Sequence, residues 1–259
     1  MKRRLILLYV SLACAIGAWA QQTSFPYPEV PSRISDLPTR LTFMLQHFWE
    51  RYDFSNTSPA NQQVGEQGFV DFINLMQYAD SSTCARAAQV FADSIGTAPR
   101  RLEHFESLAG HYLEDPQSPL RSDSIYLYLL RALPSTPQRQ FLIHQLSMNQ
   151  PGTAAADITF VSEEGVEQRL YDVKSPLTLL VFHDPLCDHC QEQMPHIRTA
   201  FADVPHLKVL YIDTNRNPQV LKSYHLPVLP SLYLLNKKKQ VLIKDGTIQQ
   251  ISEKIAIRK

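Results

Sequence analysis

Two cysteines three positions apart, Cys187 and Cys190 with Asp188 and His189 between them, are the residues whose types and spacing could do chemistry. Before them lies an apolar run, residues 177–182, long enough for a buried strand and stopped at a polar, proline-containing break. After them, residues 191–201 have helix-forming composition, so the pair is expected where a strand hands over to a helix. Unsatisfied N–H groups and the positive end of the helix dipole at such a start favour a thiolate on Cys187, the attacking sulfur. Cys190, one turn later, is then placed to resolve a mixed disulfide from within the chain. His189 adds positive charge when protonated, and Asp188 opposes it. Half of a zinc site has the same spacing, but zinc takes four ligands and no second CxxC or HxxxH pair follows. Two ordinary buried cysteines are the plainest alternative.

Two further features extend the pattern. Pro195 lies five residues after Cys190, and the stretch Tyr224, His225, Leu226, Pro227, Val228, Leu229, Pro230, Ser231 leads into an apolar strand at 232–235. In these features residues 151–259 resemble the thioredoxin-like superfamily, and within it the secreted TlpA-type thiol-disulfide oxidoreductases. The resemblance implies an α/β fold, a mixed sheet flanked by helices, with Pro195 kinking the active-site helix. It also implies a cis Pro230 packed against a Cys187–Cys190 disulfide, and a Leu229 backbone that offers hydrogen bonds to a bound substrate. Only X-Pro bonds adopt cis at low cost, and a proline heading a strand lacks a donor where a ladder would use one. Protein disulfides or dithiols as substrates, a redox partner protein, and neither cofactor nor metal complete what the resemblance implies.

Some positions depart from the family. Leu186 stands where an aromatic residue usually precedes the first cysteine, and Val181 where thioredoxins bury an acid. Asp188-His189 replaces Gly-Pro, and a His before the second cysteine is similar to the oxidant and isomerase members. Reductant, oxidant and isomerase therefore all remain open. A peroxiredoxin-like peroxidase would have Thr three residues before its attacking cysteine, where Asp184 stands. A Cu(I) chaperone would suit the thiolate pair, yet no partnering Met or His motif points to it. The non-enzymatic alternative is a partner-binding or scaffold protein with the thioredoxin-like half as a platform.

The elements that must position the pair follow a long helical stretch. Lys and Arg number 25 against 25 Asp and Glu, a balance that argues against nucleic acid or an anionic membrane surface as partner. Residues 1–20 predict an export signal: Lys2, Arg3 and Arg4, an apolar stretch over 5–18, and cleavage after Ala18-Trp19-Ala20. That stretch falls short of the roughly twenty apolar residues of a stable membrane span, so a periplasmic protein is expected. Lipoprotein processing at Cys14 is the alternative, although Ser11 departs from the usual lipobox. Cleavage leaves Cys84, Cys187 and Cys190, which divide most simply into one redox pair and one inert buried thiol.

Residues 21–37 form a proline-rich leader, and 38–150 an all-α domain of six helices. The first is capped by Asp36 and starts near Pro38; the others cover 67–78, 82–95, 100–113, 122–133 and 138–148. Phe48, Trp49, Glu50, Arg51, Tyr52, Asp53 and Phe54 resemble part of an uncharacterised helical domain that precedes some secreted thioredoxin-like domains. Aromatics at this spacing are expected to pack as core. His47, His104, His111 and His144 fall on separate helices as surface or satisfied residues, and Arg100 with Arg101 as a solvated helix start. After a polar turn at Asn149, Gln150, Pro151 and Gly152, the sequence predicts a hairpin (156–160 with 167–173), a buried strand (209–212) and a helix (217–224). An edge hairpin (232–235 with 241–244) and a final helix (248–257) follow. The cysteines then lie at the carboxyl end of a central strand, where open α/β sheets place their sites.

Overall fold

The computed structural model describes residues 24–257; the expected export signal, its cleavage point at Ala20, and Cys14 lie outside the described residues. Helices come first: α1 (Leu37–His47), α2 (Pro59–Met76), α3 (Ser81–Ile95), α4 (Pro99–Ala109, continued by a π-helical turn at Gly110–Glu114), α5 (Asp123–Ala132) and α6 (Pro137–Ser147). Most begin on a side-chain cap. Asp36, Ser58, Asp80, Ser122 and Thr136 each accept backbone N–H groups of the first turn that have no partner within the helix.

The second helix is longer than the pattern over 67–78 predicts. It begins at Pro59, and its first turns face inward with polar groups instead of an apolar stripe. Buried Asn61 donates from Nδ2 to Tyr52 Oη (3.0 Å), Asp53 O (3.0 Å) and Asn56 O (2.7 Å), which closes the preceding loop onto the helix. The aromatic cluster is core, as expected: Phe48, Trp49, Phe69, Phe72, Phe91 and Phe105 are all buried. The leader is tied into that core. Phe25, 4% exposed, stacks on Phe48 and Tyr52 (ring centroids 4.9 and 5.7 Å) and meets Trp49 edge-on at 5.2 Å. Gly68 makes room for it, since a Cβ there would come within 2.2 Å of the Phe25 ring. Among the four histidines, His47 pairs with Glu50, whereas His104 departs from expectation with a buried Nε2 that lacks a partner.

The second part is α/β. Strands β1 (Thr159–Val161) and β2 (Glu167–Arg169) form a hairpin; β3 (Leu177–His183), α7 (Asp188–Phe201), β4 (Leu207–Asp213), β5 (Ser231–Asn236), β6 (Val241–Ile243) and α8 (Ile248–Ala256) follow. The main sheet has the order β4-β3-β5-β6, with β3 parallel to β4 and antiparallel to β5. This is the predicted mixed sheet flanked by helices. All seven β3 residues are buried, because the sheet is covered on both faces. Leu180 and Phe182 pack with Ile212, Tyr224 and Tyr233 on one face; Leu179 and Val181 pack against α7 and α8 on the other.

Two expectations are corrected here. The hairpin strands are only three residues each, and the segment after β2 turns into a 3-10 helix, Leu170–Asp172. The helix expected over 217–224 is a 3-10 segment, Pro218–Lys222. Its start is committed elsewhere: buried Asn217 pairs its side-chain amide with the Val161 N–H (2.7 Å) and C=O (3.1 Å), standing in for a strand neighbour and pinning the hairpin beside β4. No helix among the described residues is long and apolar enough to cross a membrane.

Candidate active site

Cys187 is itself the N-cap of α7, which is why the helix begins at Asp188 and not at 191. Its Sγ accepts from the Cys190 N–H at 3.5 Å, so a backbone donor of the first turn is aimed at the sulfur. The loop that presents it is braced by Asp184. That carboxylate accepts from the Leu186 N–H (2.7 Å) and from Asn215 Nδ2 (2.6 Å), the Asp184 carbonyl accepts from the Cys187 N–H (3.2 Å), and Gln191 Nε2 donates to Pro185 O (2.9 Å). Pro195 lies inside α7 as expected.

The two sulfurs sit in different surroundings. Cys187 is half-buried at the mouth, while Cys190 is 1% exposed behind it. Burial pushes the Cys190 thiol up to about 11, opposed by the Asp184 N–H directed at its Sγ (3.5 Å). Both cysteines are unbonded thiols in this structure. The third, Cys84, is buried on α3 and donates to Met76 O at 3.3 Å, with burial raising its thiol. Among the described residues no group of three or more His, Cys, Asp or Glu is arranged to hold a metal ion.

The Leu229–Pro230 bond is cis, as the resemblance implies. Leu229 packs in the apolar cluster that holds Cys190 and Cys187, and its own N–H and C=O make no hydrogen bond among the described residues. Leu186, 81% exposed, adds an apolar lip beside Cys187. The fold thus gathers Cys187, Cys190 and Leu229, with the cis Pro230 next in the chain, whereas Asp188 and His189 lie on the exposed face of the first turn. His189 Nδ1 sits 3.9 Å from Glu192 Oε2.

Sequence reasoning gave no role to His183, the last residue of β3. Its Nε2 is buried without a hydrogen-bond partner, 3.8 Å from Glu163 Oε1. Burial pulls this imidazole below its usual value, against the pull of Glu163 and Asp213. Glu163 is engaged by Arg198, whose guanidinium lies 4.0 Å over the Tyr211 ring. A histidine closing an otherwise apolar strand was the available signal.

With this geometry in view, the comparisons with known proteins agree on both parts. A family described as "Domain of unknown function (DUF5106)" matches residues 14–144, about half of the chain, and the thioredoxin family matches 158–257. A thioredoxin from Chlamydia trachomatis is 28% identical over 87 residues, covering 31% of this chain and 85% of its own length. The crystal structure of a thioredoxin-like protein from Bacteroides caccae superposes with a TM-score of 0.81 at 24% identity, covering 91% of this chain and 99% of the other, and so shares the fold over both parts. The chain belongs to the DUF5106 family and carries a thioredoxin domain behind its helical part.

Proposed function

We propose that the protein is a thiol-disulfide oxidoreductase acting on protein disulfides or dithiols through Cys187 and Cys190. One observation carries this: the half-buried Cys187 sulfur caps α7 with the Cys190 N–H aimed at it, while Cys190 waits behind it as a buried thiol. In the reducing direction, the Cys187 thiolate attacks one sulfur of a substrate disulfide, forms a mixed disulfide and releases the other substrate sulfur as a thiolate. Cys190 then gives up its proton and attacks Cys187 Sγ, releasing the second substrate thiolate. Two electrons have passed to the substrate, and the enzyme holds a Cys187–Cys190 disulfide. Oxidation runs the same steps in reverse; in isomerisation a second thiolate of the substrate, and not Cys190, attacks the mixed disulfide, so that a new substrate disulfide forms and the Cys187 thiolate leaves with no net electron transfer. The Leu229 backbone and the Leu186 lip suit an extended peptide lying beside Cys187, with Pro230 shaping the groove and His189 lending positive charge when protonated. Lys2 to Arg4 and the Ala18-Trp19-Ala20 site support export to the periplasm, a compartment where disulfides persist and a redox partner would keep the pair poised.

Turnover of a disulfide-containing protein such as insulin by the full chain tests this. Cys187→Ser should abolish it, and Cys190→Ser should accumulate the mixed disulfide through Cys187. A Cys187→Ser variant as active as the parent would remove the proposal.

A further inference from the structure

The loop that carries Pro230 is not held by its own backbone: from Leu226 to Pro230 there is no backbone hydrogen bond among the described residues. Its conformation depends on how its ends are fixed, and both ends meet charges at the junction with the helical part. At the carboxyl end, fully buried Ser231 donates from Oγ to Asp245 Oδ1 at 2.9 Å. The same Asp245 carboxylate pairs with Arg121, from the segment leading into α5. Next to it, Lys244 Nζ reaches Asp123 Oδ2 (2.7 Å), on the first turn of α5, and donates to Leu146 O (3.0 Å) at the end of α6. The side chains of these two pairs are only 20% and 13%, and 5% and 15%, exposed. At the amino end of the loop, Tyr233 Oη donates to His225 O (3.2 Å), and the half-buried His225 ring lies in the field of Asp123, Lys244, Arg121 and Asp245.

We propose that the helical domain sets the substrate groove through this four-charge cluster. Arg121 and Asp123 fix the Lys244–Asp245 turn, and Asp245, through Ser231, holds the Leu226–Pro230 loop in the shape that receives a peptide beside Cys187. Arg121 and Asp245 are positioning residues: neither takes part in sulfur chemistry. Ion pairs this shielded contribute little net stability against a well-packed apolar alternative, but loss of one partner leaves the other charge uncompensated. Asp245 adopts φ 51°, a backbone conformation that Asp and Asn tolerate better than other side chains, and places its carboxylate between Arg121 and Ser231. The inference rests on that loop being the substrate groove, and it gives the domain of unknown function a task.

The test uses the full chain, with Arg121→Ala, Arg121→Lys and Asp245→Asn. Two readouts are taken: KM and kcat on a disulfide protein substrate, and the amide resonances of Val228, Leu229 and Ser231. Arg121→Ala and Asp245→Asn should raise KM about tenfold, with kcat and the Cys187–Cys190 redox equilibrium against glutathione unchanged. The loop resonances should shift or broaden while those of β3 and α7 stay. Arg121→Lys should recover most of both effects. Unchanged KM and unchanged loop resonances in a folded Arg121→Ala variant overturn the proposal. So does loss of the whole fold in both charge-removing variants, because the charges would then be holding the interface and not the loop. If the parent shows no turnover on any disulfide, the oxidoreductase proposal fails by itself; the resonances still decide whether the helical domain governs the loop.

Discussion

Full reduction followed by alkylation separates the two active-site sulfurs, and the size of the effect follows from their burial. A thiol with a pKa of about 11 is ionised to about one part in a thousand at pH 8, against about one in four for an ordinary thiol near 8.5. The thiolate that does form is more basic and therefore more nucleophilic, which recovers about tenfold of the difference for a Brønsted slope of roughly 0.4–0.5. Cys190 should then react about twentyfold more slowly than an ordinary thiol, before its 1% exposure restricts the reagent further. Cys187, half-buried at the start of α7, is open to the reagent. Iodoacetamide at pH 8, quenched at intervals and mapped by peptide mass, should label the more accessible Cys187 first, with the buried Cys190 and Cys84 well behind. Labelling of Cys190 within about twofold of Cys187 would refute the assignment of exposed attacker and buried resolver.

Other perturbations test the frame around the site. Phe25→Ala should cost about 3–5 kcal/mol in chemical denaturation, the usual range for a buried aromatic removed from a core, and Gly68→Ala should destabilise by displacing the same ring. Burial favours the neutral form of His183 and His225, so their folded pKa values lie below the unfolded value of about 6.5. The unfolded chain therefore binds more protons on acidification, so their contribution is fully present above about pH 6.5 and is lost as pH falls through the folded values. His183→Gln should flatten that decline in a denaturation series from pH 7.5 to 5; an unaltered slope would contradict it. At the alkaline end, the raised Cys190 thiol predicts the opposite trend. Stability should fall as pH rises from about 9 towards about 11, and Cys190→Ala should make that fall shallower, with the raised Cys84 thiol supplying part of what remains.

What could be foreseen from the sequence was what lies close together along it. The cysteine pair, Pro195 and Pro230 announce themselves within short windows, and β3 is visible because a strand covered on both faces is a nearly continuous apolar run. The beginning of α2 was hidden because its inward side is polar, with Asn61 closing the loop that an apolar residue would otherwise cover; only the Ser58-Pro59 start signal marked it. Cys187 as the helix cap was missed for a related reason, since Ser, Thr, Asp and Asn are the usual caps. Docking of Phe25 onto Gly68 and pairing of Arg121 with Asp245 are contacts between distant segments. Each of those charges, taken alone in the chain, looks like a solvated surface residue. For His183 only its place at the end of an apolar run was local; nothing nearby says that Glu163 and Arg198 will converge on it.

The central claim is that Cys187 and Cys190 form a reversible redox couple. Equilibrating the full chain across a series of reduced and oxidised glutathione ratios, trapping free thiols and weighing the intact protein tests it most directly. The account predicts a single two-electron transition, with the disulfide mapped to Cys187 and Cys190 and Cys84 free throughout. A chain in which Cys187 and Cys190 both stay thiols at every ratio, or that oxidises through Cys84 instead, would contradict it.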